Sequence, residues 1–330
     1  MSAHALDQEP DDLARAARAG LVREIDSSGA WERDPVWREA FEAVPRHLFV
    51  PYYYVGTVGA VGGFERLWGG DPDPRNREQW LRGAYADAPL ATRVRDGELL
   101  SSSSQPSLMA KMLTELAVAD GNAVLEIGAG TGYNAALLAH RLGDALVTTV
   151  DLDPEITESA RRHLAAAGHH PAVVTGDGAR GVPERAPFDR IIATCTLTSV
   201  PHGWLPQCTP GARILAPLAT GLIALRVRDR AHAEGRFLHT AAYFVPLRGG
   251  GTRPEQEPPH LGGLPPRVRS DDLFRFLLTL TAGTLEPHEA YALWEREGRP
   301  VRERYGITVS GERVWAWLDD PEGPYAWPLP

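Results

Sequence analysis

The segment Leu125-Glu126-Ile127-Gly128-Ala129-Gly130-Thr131-Gly132-Tyr133 joins a short apolar run, Ala123 to Glu126, to a helix-forming one, Asn134 to Ala139. Glycines let a backbone turn tightly and come close to a ligand, because no Cβ stands in the way. The dinucleotide fingerprint G-x-G-x-x-G sets a pyrophosphate on the N-terminus of the helix that follows. Here the spacing is G-x-G-x-G, and Glu126 sits just before the turn. A carboxylate at that place repels a pyrophosphate and suits the ammonium or sulfonium of S-adenosylmethionine. The pattern favours methyl transfer over hydride transfer. The bland alternative is an ordinary glycine-rich strand-to-helix turn with no ligand.

Further carboxylates fall at the ends of apolar runs. Ala145 to Val150 reads as a second strand ending at Asp151. An acidic residue about 20 residues beyond the glycines can take both ribose hydroxyls. Val173 to Gly178 reads as a third strand with Asp177 at its carboxyl end, where a carboxylate can accept the exocyclic amine of adenine. Asp189 to Thr194 reads as a fourth strand and Gly211 to Ala216 as a fifth. Strands alternating with helical stretches imply an α/β fold, a Rossmann-like doubly wound parallel sheet. Ligands bind outside the carboxyl ends of such strands, so Gly128, Asp151, Asp177 and Thr194 are expected at one edge. Singly, each carboxylate reads equally well as a helix cap or a solvated turn.

The chain resembles the protein-L-isoaspartate O-methyltransferase family. The matching pieces are Val44 to Pro51, Ala84 to Leu90, Ser104-Gln105-Pro106-Ser107-Leu108-Met109, the glycine turn, Gly176-Asp177-Gly178, Ala186 to Ile191, Val200-Pro201, Gly211 to Pro217 and Tyr243 to Leu247. They run in order over roughly residues 36 to 248. The resemblance implies a class I methyltransferase sheet, S-adenosylmethionine as cofactor and an aspartyl-type carboxylate of a peptide or protein as methyl acceptor. It places Ser102 and Ser104 at the acceptor site. There are three departures. Tyr52 to Gly83 is long where the family has a short link, Ser102-Ser103-Ser104 replaces Thr-Ile-Ser, and the chain runs on from Leu247 to Pro330. These features resemble the branch found beside ribosomally made peptides, of the graspetide and lanthipeptide classes. That branch methylates an aspartate of a precursor peptide, often already cyclised, on the way to an aspartimide. The alternative is repair of isoaspartyl damage in proteins generally. A different class again is a silent peptide-binding module, against which the intact Glu126, Gly128, Gly130, Asp151 and Asp177 set speaks.

Such chemistry needs no metal and no strong base, since the sulfonium is already activated and a carboxylate is already a nucleophile. The protein must align the reacting atoms and exclude water. Ser101 to Ser104 can donate hydroxyl hydrogens to a carboxylate without neutralising it, and Gln105 can add an amide. A four-serine run is otherwise a flexible solvated loop. Here Pro106 and the amphipathic Leu108, Met109, Met112, Leu113 and Leu116 pattern anchor it at a helix start. Thr194 and Thr196 can line the same pocket or merely cap a strand end. Arg46 and His47 can meet a carboxylate or form a structural salt bridge. The expected acceptor side is therefore Ser101, Ser102, Ser103, Ser104, Gln105 and Thr194. The expected cofactor side is Glu126, Gly128, Ala129, Gly130, Thr131, Gly132, Asp151, Leu152, Asp177, Gly178 and Thr194. The histidines show no metal spacing; His169 and His170 read as loop residues.

Composition bounds the rest. The chain has 330 residues, 43% of them hydrophobic, enough for an α/β domain and a smaller one. A formal charge of −9 argues against broad capture of nucleic acid or an anionic membrane. The two cysteines, Cys195 and Cys208, form no metal cluster, and Cys195 reads as a small buried side chain. Met1 to Asp12 is polar and acidic, unlike a signal peptide, and no apolar run has the length of a membrane span. A cytoplasmic monomer is expected. Residues 1–55 read as short helices, Leu13 to Ala19 after Asp11-Asp12 and Val36 to Val44 after an Asp34-Pro35 cap. Residues 56–100 read as an insertion, a long loop or small subdomain, leading to the acceptor-side run. Residues 101–248 read as the methyltransferase domain and 249–266 as a linker. Residues 267–330 read as an extension with helices at Leu273 to Leu280 and Glu286-Pro287 to Glu297, and a strand pair around Ser310-Gly311. Trp68, Trp80, Trp294, Trp315 and Trp317 are candidate aromatic anchors for a partner, or packing for the small domain.

Overall fold

The computed structural model describes residues 3–56, 64–95, 97–249 and 261–330, with side chains from residue 12 onward. In chain order its elements are α1 (Ala3–Ser27), α2 (Val36–Ala43), β1 (Tyr52–Gly56), β2 (Phe64–Trp68), α3 (Pro74–Ala84), β3 (Leu90–Arg95), β4 (Glu98–Ser103), α4 (Pro106–Leu116), β5 (Val124–Ile127), α5 (Tyr133–Leu142), β6 (Val147–Asp151), α6 (Pro154–Ala166), β7 (Ala172–Thr175), β8 (Phe188–Ala193), β9 (Cys208–Leu218), β10 (Gly221–Val227), β11 (His232–Ala241), α7 (Pro266–Arg269), α8 (Asp272–Leu280), α9 (Pro287–Arg296), β12 (Tyr305–Ser310), β13 (Arg313–Leu318) and β14 (Ala326–Leu329). Parallel strands alternating with helices give the Rossmann-like α/β class. The chain divides into two compact units. One is Met1–Asn122 with Ala129–Thr175; the other is Ala123–Gly128 with Gly176–Pro330.

In the first unit, helix α2 packs against α1, α4 and α5, α1 also packs against α4, and Trp37, Phe41 and Phe49 are buried. The Phe41 and Phe49 rings both meet Tyr133, at 6.1 and 5.5 Å between centroids. The parallel pair β6-β7 is flanked by α6, whose N-terminus Asp153 caps by accepting the Glu155 amide at 2.9 Å, with Pro154 at the first helical position. A separate antiparallel sheet has the order β2-β1-β3-β4. Its inner face, with Tyr53, Leu67 and Leu90, packs on Val50, Ala84 and the partly buried Trp80.

The second unit holds the strand order β14-β13-β12-β11-β10-β9-β8-β5. Strands β5, β8 and β9 run parallel, and every pairing from β9 to β14 is antiparallel. Helix α8 begins as its sequence requires: the Asp271 carboxylate accepts the Leu273 and Phe274 amides. Buried Phe276 meets Phe237 of β11 and Tyr305 of β12, so the C-terminal segment builds on the same sheet as β9 and β10.

Several element readings change. Residues 3–27 form one long helix rather than a short one after Asp12, and α2 starts without a side-chain cap, its N-cap being Pro35 rather than Asp34. Ala145 and Leu146 belong to a 3-10 turn ahead of β6. β7 stops at Thr175, and β8 ends at Ala193, leaving Thr194 beyond it. The inserted stretch is a strand pair and a capped helix rather than a loop: Asp73 accepts the Arg75 amide before Pro74–Ala84. Residues 57–63 and 250–260, within the expected insertion and linker, lie outside the described residues. Of the five tryptophans read as anchors, Trp294 and Trp317 are core. Trp80 donates to the Val50 carbonyl at 2.9 Å and Trp315 to the Pro321 carbonyl at 3.2 Å. Trp68 alone of the five is an exposed ring.

Candidate active site

In the first unit the glycine turn is laced to the end of β6. The Ala129 amide donates to the Val150 carbonyl at 3.1 Å, and the Gly130 amide donates to Asp151 Oδ2 at 3.2 Å. The other carboxylate oxygen of Asp151 accepts the Asp153 amide at 3.3 Å. Leu152 follows as an exposed apolar side chain, suited to cover a flat ring. Gly132 has φ +87°, and a Cβ there would stand 3.3 Å from the Ala160 carbonyl and the Leu164 side chain of α6. Only glycine combines that conformation with that close approach.

His163 was not found by sequence reading. Its Nδ1 lies 3.0 Å from the Thr131 carbonyl. A carbonyl only accepts, so this nitrogen carries the proton and donates. Burial lowers the imidazole pKa and keeps the ring neutral at ordinary pH. Thr131 itself is buried, its hydroxyl accepting the Tyr133 amide at 3.4 Å.

The serine run forms the end of β4 and divides by strand alternation. Ser101 and Ser103 are buried at 7% and 3% exposure, and Ser102 and Ser104 are half-buried. The Ser101 hydroxyl accepts from Thr92 Oγ1 at 3.3 Å, and the Ser103 hydroxyl accepts from Arg46 at 3.4 Å. Neither Ser102 nor Ser104 spends its hydroxyl on a partner among the described residues. The strand passes beside the turn: a Cβ on Gly130 would lie 3.6 Å from the Ser102 carbonyl and 3.8 Å from Ser101 Oγ. The first unit thus brings Ser101, Ser102, Gly130 and Asp151 together.

Two expected roles on this side change. Arg46 meets no carboxylate among the described residues. It is fully buried and donates to the carbonyls of Ala84, Ala86, Ala88 and Ser104 and to Ser103 Oγ. Burial lowers its pKa to about 10, which still leaves it charged at neutral pH. His47 pairs with the Tyr85 hydroxyl at 2.7 Å. Gln105 turns its amide to Asp87 at 3.0 Å, while the other Asp87 oxygen accepts the Ser107 amide at the start of α4. Asp87, not singled out in the sequence, holds the junction between the serine run and its helix.

In the second unit Glu126 is buried in β5. Ile127 pairs with Ala193, so Gly128 and Thr194 continue side by side past the strand ends. The Thr194 hydroxyl lies 2.7 Å from the Gly128 carbonyl and 3.2 Å from the Ile127 carbonyl. A hydroxyl has one hydrogen, and this one is committed to backbone, so Thr194 cannot also donate to a carboxylate. Gly128, at φ +98°, admits this contact: a Cβ would stand 2.8 Å from Thr194 Oγ1. Thr196 is tied to the following segment, with its hydroxyl on the Phe244 carbonyl at 3.0 Å. Asp177 Oδ1 accepts the Ala179 amide at 2.9 Å, capping a 3-10 turn over Gly178–Arg180. Trp204, another residue sequence reading missed, donates to the Gly178 carbonyl at 2.8 Å. Gly249 backs onto the Asp177 carboxylate, so closely that a Cβ would lie 2.5 Å from Oδ1.

Cys195 and Cys208 are both buried and neither forms a disulfide; burial pushes the Cys208 thiol up to about 12, which makes it inert. Among the described residues no group of three or more His, Cys, Asp or Glu could hold a metal ion, and no helix is long and apolar enough to cross a membrane.

Residues 75–251 match a family model described as protein-L-isoaspartate(D-aspartate) O-methyltransferase. The chain is 35% identical over 247 residues to the protein-L-isoaspartate O-methyltransferase of Methanopyrus kandleri, covering 73% of this chain and 95% of that one. It is 34% identical over 221 residues to protein-L-isoaspartate O-methyltransferase 1 of Archaeoglobus fulgidus, covering 66% and 88%. A solved structure named protein-L-isoaspartate O-methyltransferase superposes with a TM-score of 0.61 over 94% of this chain and 98% of its own, at 22% identity, and shows a shared fold. That superposition leaves out too little of the chain to omit the C-terminal segment. The tail, read from sequence as a departure, therefore has a counterpart there.

Proposed function

This chain belongs to the protein-L-isoaspartate(D-aspartate) O-methyltransferase family and is an S-adenosylmethionine-dependent carboxyl O-methyltransferase; we propose that its acceptor is an aspartyl carboxylate of a dedicated peptide. The favoured peptide is a ribosomal precursor, cyclised before methylation, whose methyl ester is then attacked by the next backbone nitrogen, which gives up its proton as methanol is expelled, to give an aspartimide.

The cofactor, when bound, supplies a methyl group already activated on a sulfonium. We assign Gly128, Ala129, Gly130, Thr131 and Gly132 to the turn that admits it and Glu126 to its cationic part. Asp151 takes the ribose hydroxyls, and Leu152, Asp177 and Gly178 take the adenine. Asp151 fits this role because backbone amides hold both of its oxygens, which aims the carboxylate. Thr194 shapes the turn through the Gly128 carbonyl.

The observation that carries the acceptor assignment is the pair of uncommitted hydroxyls, Ser102 in β4 beside Gly130 and Ser104 just past the end of that strand. They donate to the acceptor carboxylate, orient it and leave its nucleophilicity in place. Ser101, Ser103, Gln105 and Arg46 position them from behind. No general base is needed, since no proton leaves a carboxylate at neutral pH.

The inserted sheet supports a dedicated acceptor, because it adds open aromatic surface beside the serine strand. The repair reading is favoured by the relatives' names. Mass spectrometry of a candidate precursor peptide and of a generic isoaspartyl peptide, each incubated with the full chain and S-adenosylmethionine, decides between them. A methyl ester on the first alone supports the dedicated reading. Comparable specificity constants support repair, and no ester on any aspartyl peptide overturns both.

A further inference from the structure

Strands β1 and β2 pair with Tyr52 opposite Trp68 and Tyr54 opposite Arg66. Residues directly opposite one another share a face of the sheet. Tyr53, Val55 and Leu67 turn to the core, so Tyr52, Tyr54, Arg66 and Trp68 share the outer face. That face is ordered. The rings of Tyr52 and Tyr54 meet edge-on at 5.9 Å, and the Arg66 guanidinium lies over both Tyr52 and Trp68, at 5.7 and 5.8 Å. It is also open, with Tyr52 37% and Trp68 38% exposed. Contiguous exposed aromatics of this kind mark an interaction surface more often than they mark chance.

The face continues into a cleft of about 680 Å³ lined by Tyr52, Tyr54, Arg93, Arg95, Glu155 and Arg162. Arg93 is ion-paired with Glu155. Arg66 and Arg162 have no carboxylate partner among the described residues, and Arg162 reaches only the Ser159 hydroxyl, at 3.3 Å. Unpaired arginines beside clustered aromatics stand out on a chain of net charge −9. One further relation gives the surface a direction. Tyr54 pairs with Ala91, and Ala91 pairs with Ser102. Tyr54, Ala91 and Ser102 therefore form one row on one face, spanning two strand spacings, about 10 Å.

We propose that this face docks the peptide segment flanking the methyl acceptor, and that the segment is acidic and extended, running from the Arg66 and Arg162 side across Tyr54 to Ser102. This rests on the reading of Ser102 as an acceptor-side donor. The aromatic rings cover the segment's backbone and apolar carbons, and the two free guanidinium groups pair with its carboxylates. Arginine's planar fork suits paired contacts to carboxylates. Each exposed pair contributes little by itself, so preference for the segment comes from several acting together.

The test uses the full chain with S-adenosylhomocysteine and fluorescein-labelled peptides. All share one central aspartyl residue; their flanks are Glu, Gln or Lys. Fluorescence anisotropy is expected to show the Glu-flanked peptide binding about tenfold or more tightly than the Lys-flanked one at low salt, with the gap shrinking as ionic strength rises. Arg66→Glu combined with Arg162→Glu should reverse the order, and Tyr52→Ser should weaken all three peptides. All three positions are on the surface, and a thermal melt together with cofactor affinity checks that the variants are folded. Equal binding of the three peptides, tighter binding of the Lys-flanked peptide, or a Glu preference that survives the double variant overturns the proposal. Methylation is followed in parallel. A persistent Glu preference with no ester on any peptide supports the docking surface and overturns the acceptor reading by itself.

Discussion

Gly130 donates its backbone amide to the carboxylate of Asp151 at 3.2 Å, so the residue that ends β6 also pins the middle of the glycine turn. A ligand held by Asp151 is thereby coupled to the shape of the turn. Asp151→Asn keeps the size of the side chain and removes its charge. Cofactor affinity should fall by about 1–3 kcal/mol, the range for a hydrogen bond to a charged group. Isothermal calorimetry with S-adenosylhomocysteine measures it, and an unchanged Kd in a folded variant would remove Asp151 from the ribose site.

The serine run should split by alternation. Ser102→Ala and Ser104→Ala are expected to lower kcat/KM for the peptide by roughly tenfold or more each, with cofactor affinity kept, because one charge-assisted hydrogen bond is lost. Ser103→Ala should instead cost about 1 kcal/mol of stability, since its hydroxyl serves Arg46. Full turnover in the Ser102, Ser104 double variant would make the run a plain strand end.

Arg46 satisfies four backbone carbonyls and one hydroxyl from a fully buried position. Arg46→Met should destabilise by about 3 kcal/mol or more, because several buried acceptors lose their donor together. Arg46→Lys should not restore stability, having a point charge where a fork is needed. Urea unfolding gives the number. A lysine variant of wild-type stability would show that charge alone matters there.

His163 gives a pH dependence with a definite sign. Burial lowers its folded-state pKa below the usual 6.5, so the unfolded chain binds the proton more readily. Its contribution to stability is complete above pH 6.5 and is lost as pH falls through the folded pKa. His163→Asn keeps a donor for the Thr131 carbonyl without a titrating ring. Its stability between about pH 7 and 5 should therefore change less steeply than that of the wild type. Parallel slopes in denaturant melts would assign the acid sensitivity to other groups.

Thr194→Val removes the donor to the Gly128 carbonyl at nearly constant volume. Stability should drop by about 1 kcal/mol and cofactor affinity should weaken, with the peptide KM unchanged. A rise in peptide KM alone would return Thr194 to the acceptor side.

Some of this was written in the sequence locally. The glycine turn must be a turn, since Gly128, Gly130 and Gly132 all have positive φ, and the apolar runs place Glu126 within β5, Asp151 at the end of β6 and Asp177 just beyond β7. Asp153-Pro154, Asp73-Pro74, Asp271 and Glu286-Pro287 mark helix starts through capping chemistry that acts within a few residues. Composition alone could not show that Tyr52 to Gly83 builds a sheet and a helix. Its strands are short: β1 and β2 pair with each other, and β1 joins the sheet by pairing with β3, beyond the segment.

The sequence by itself determined the α/β class, the family and the turn, because each is carried by residue types at short fixed spacing. Tertiary structure decided which hydroxyls and guanidinium groups are available. Whether Ser102 or Ser103 faces a ligand depends on strand register and on Arg46, more than fifty residues away in the chain. Whether Arg46 meets a carboxylate or a cage of carbonyls, and whether Trp68 or Trp317 is the exposed ring, depends on what packs against each. Hydrogen bonds and burial between distant segments are set by the fold, and no local pattern records them.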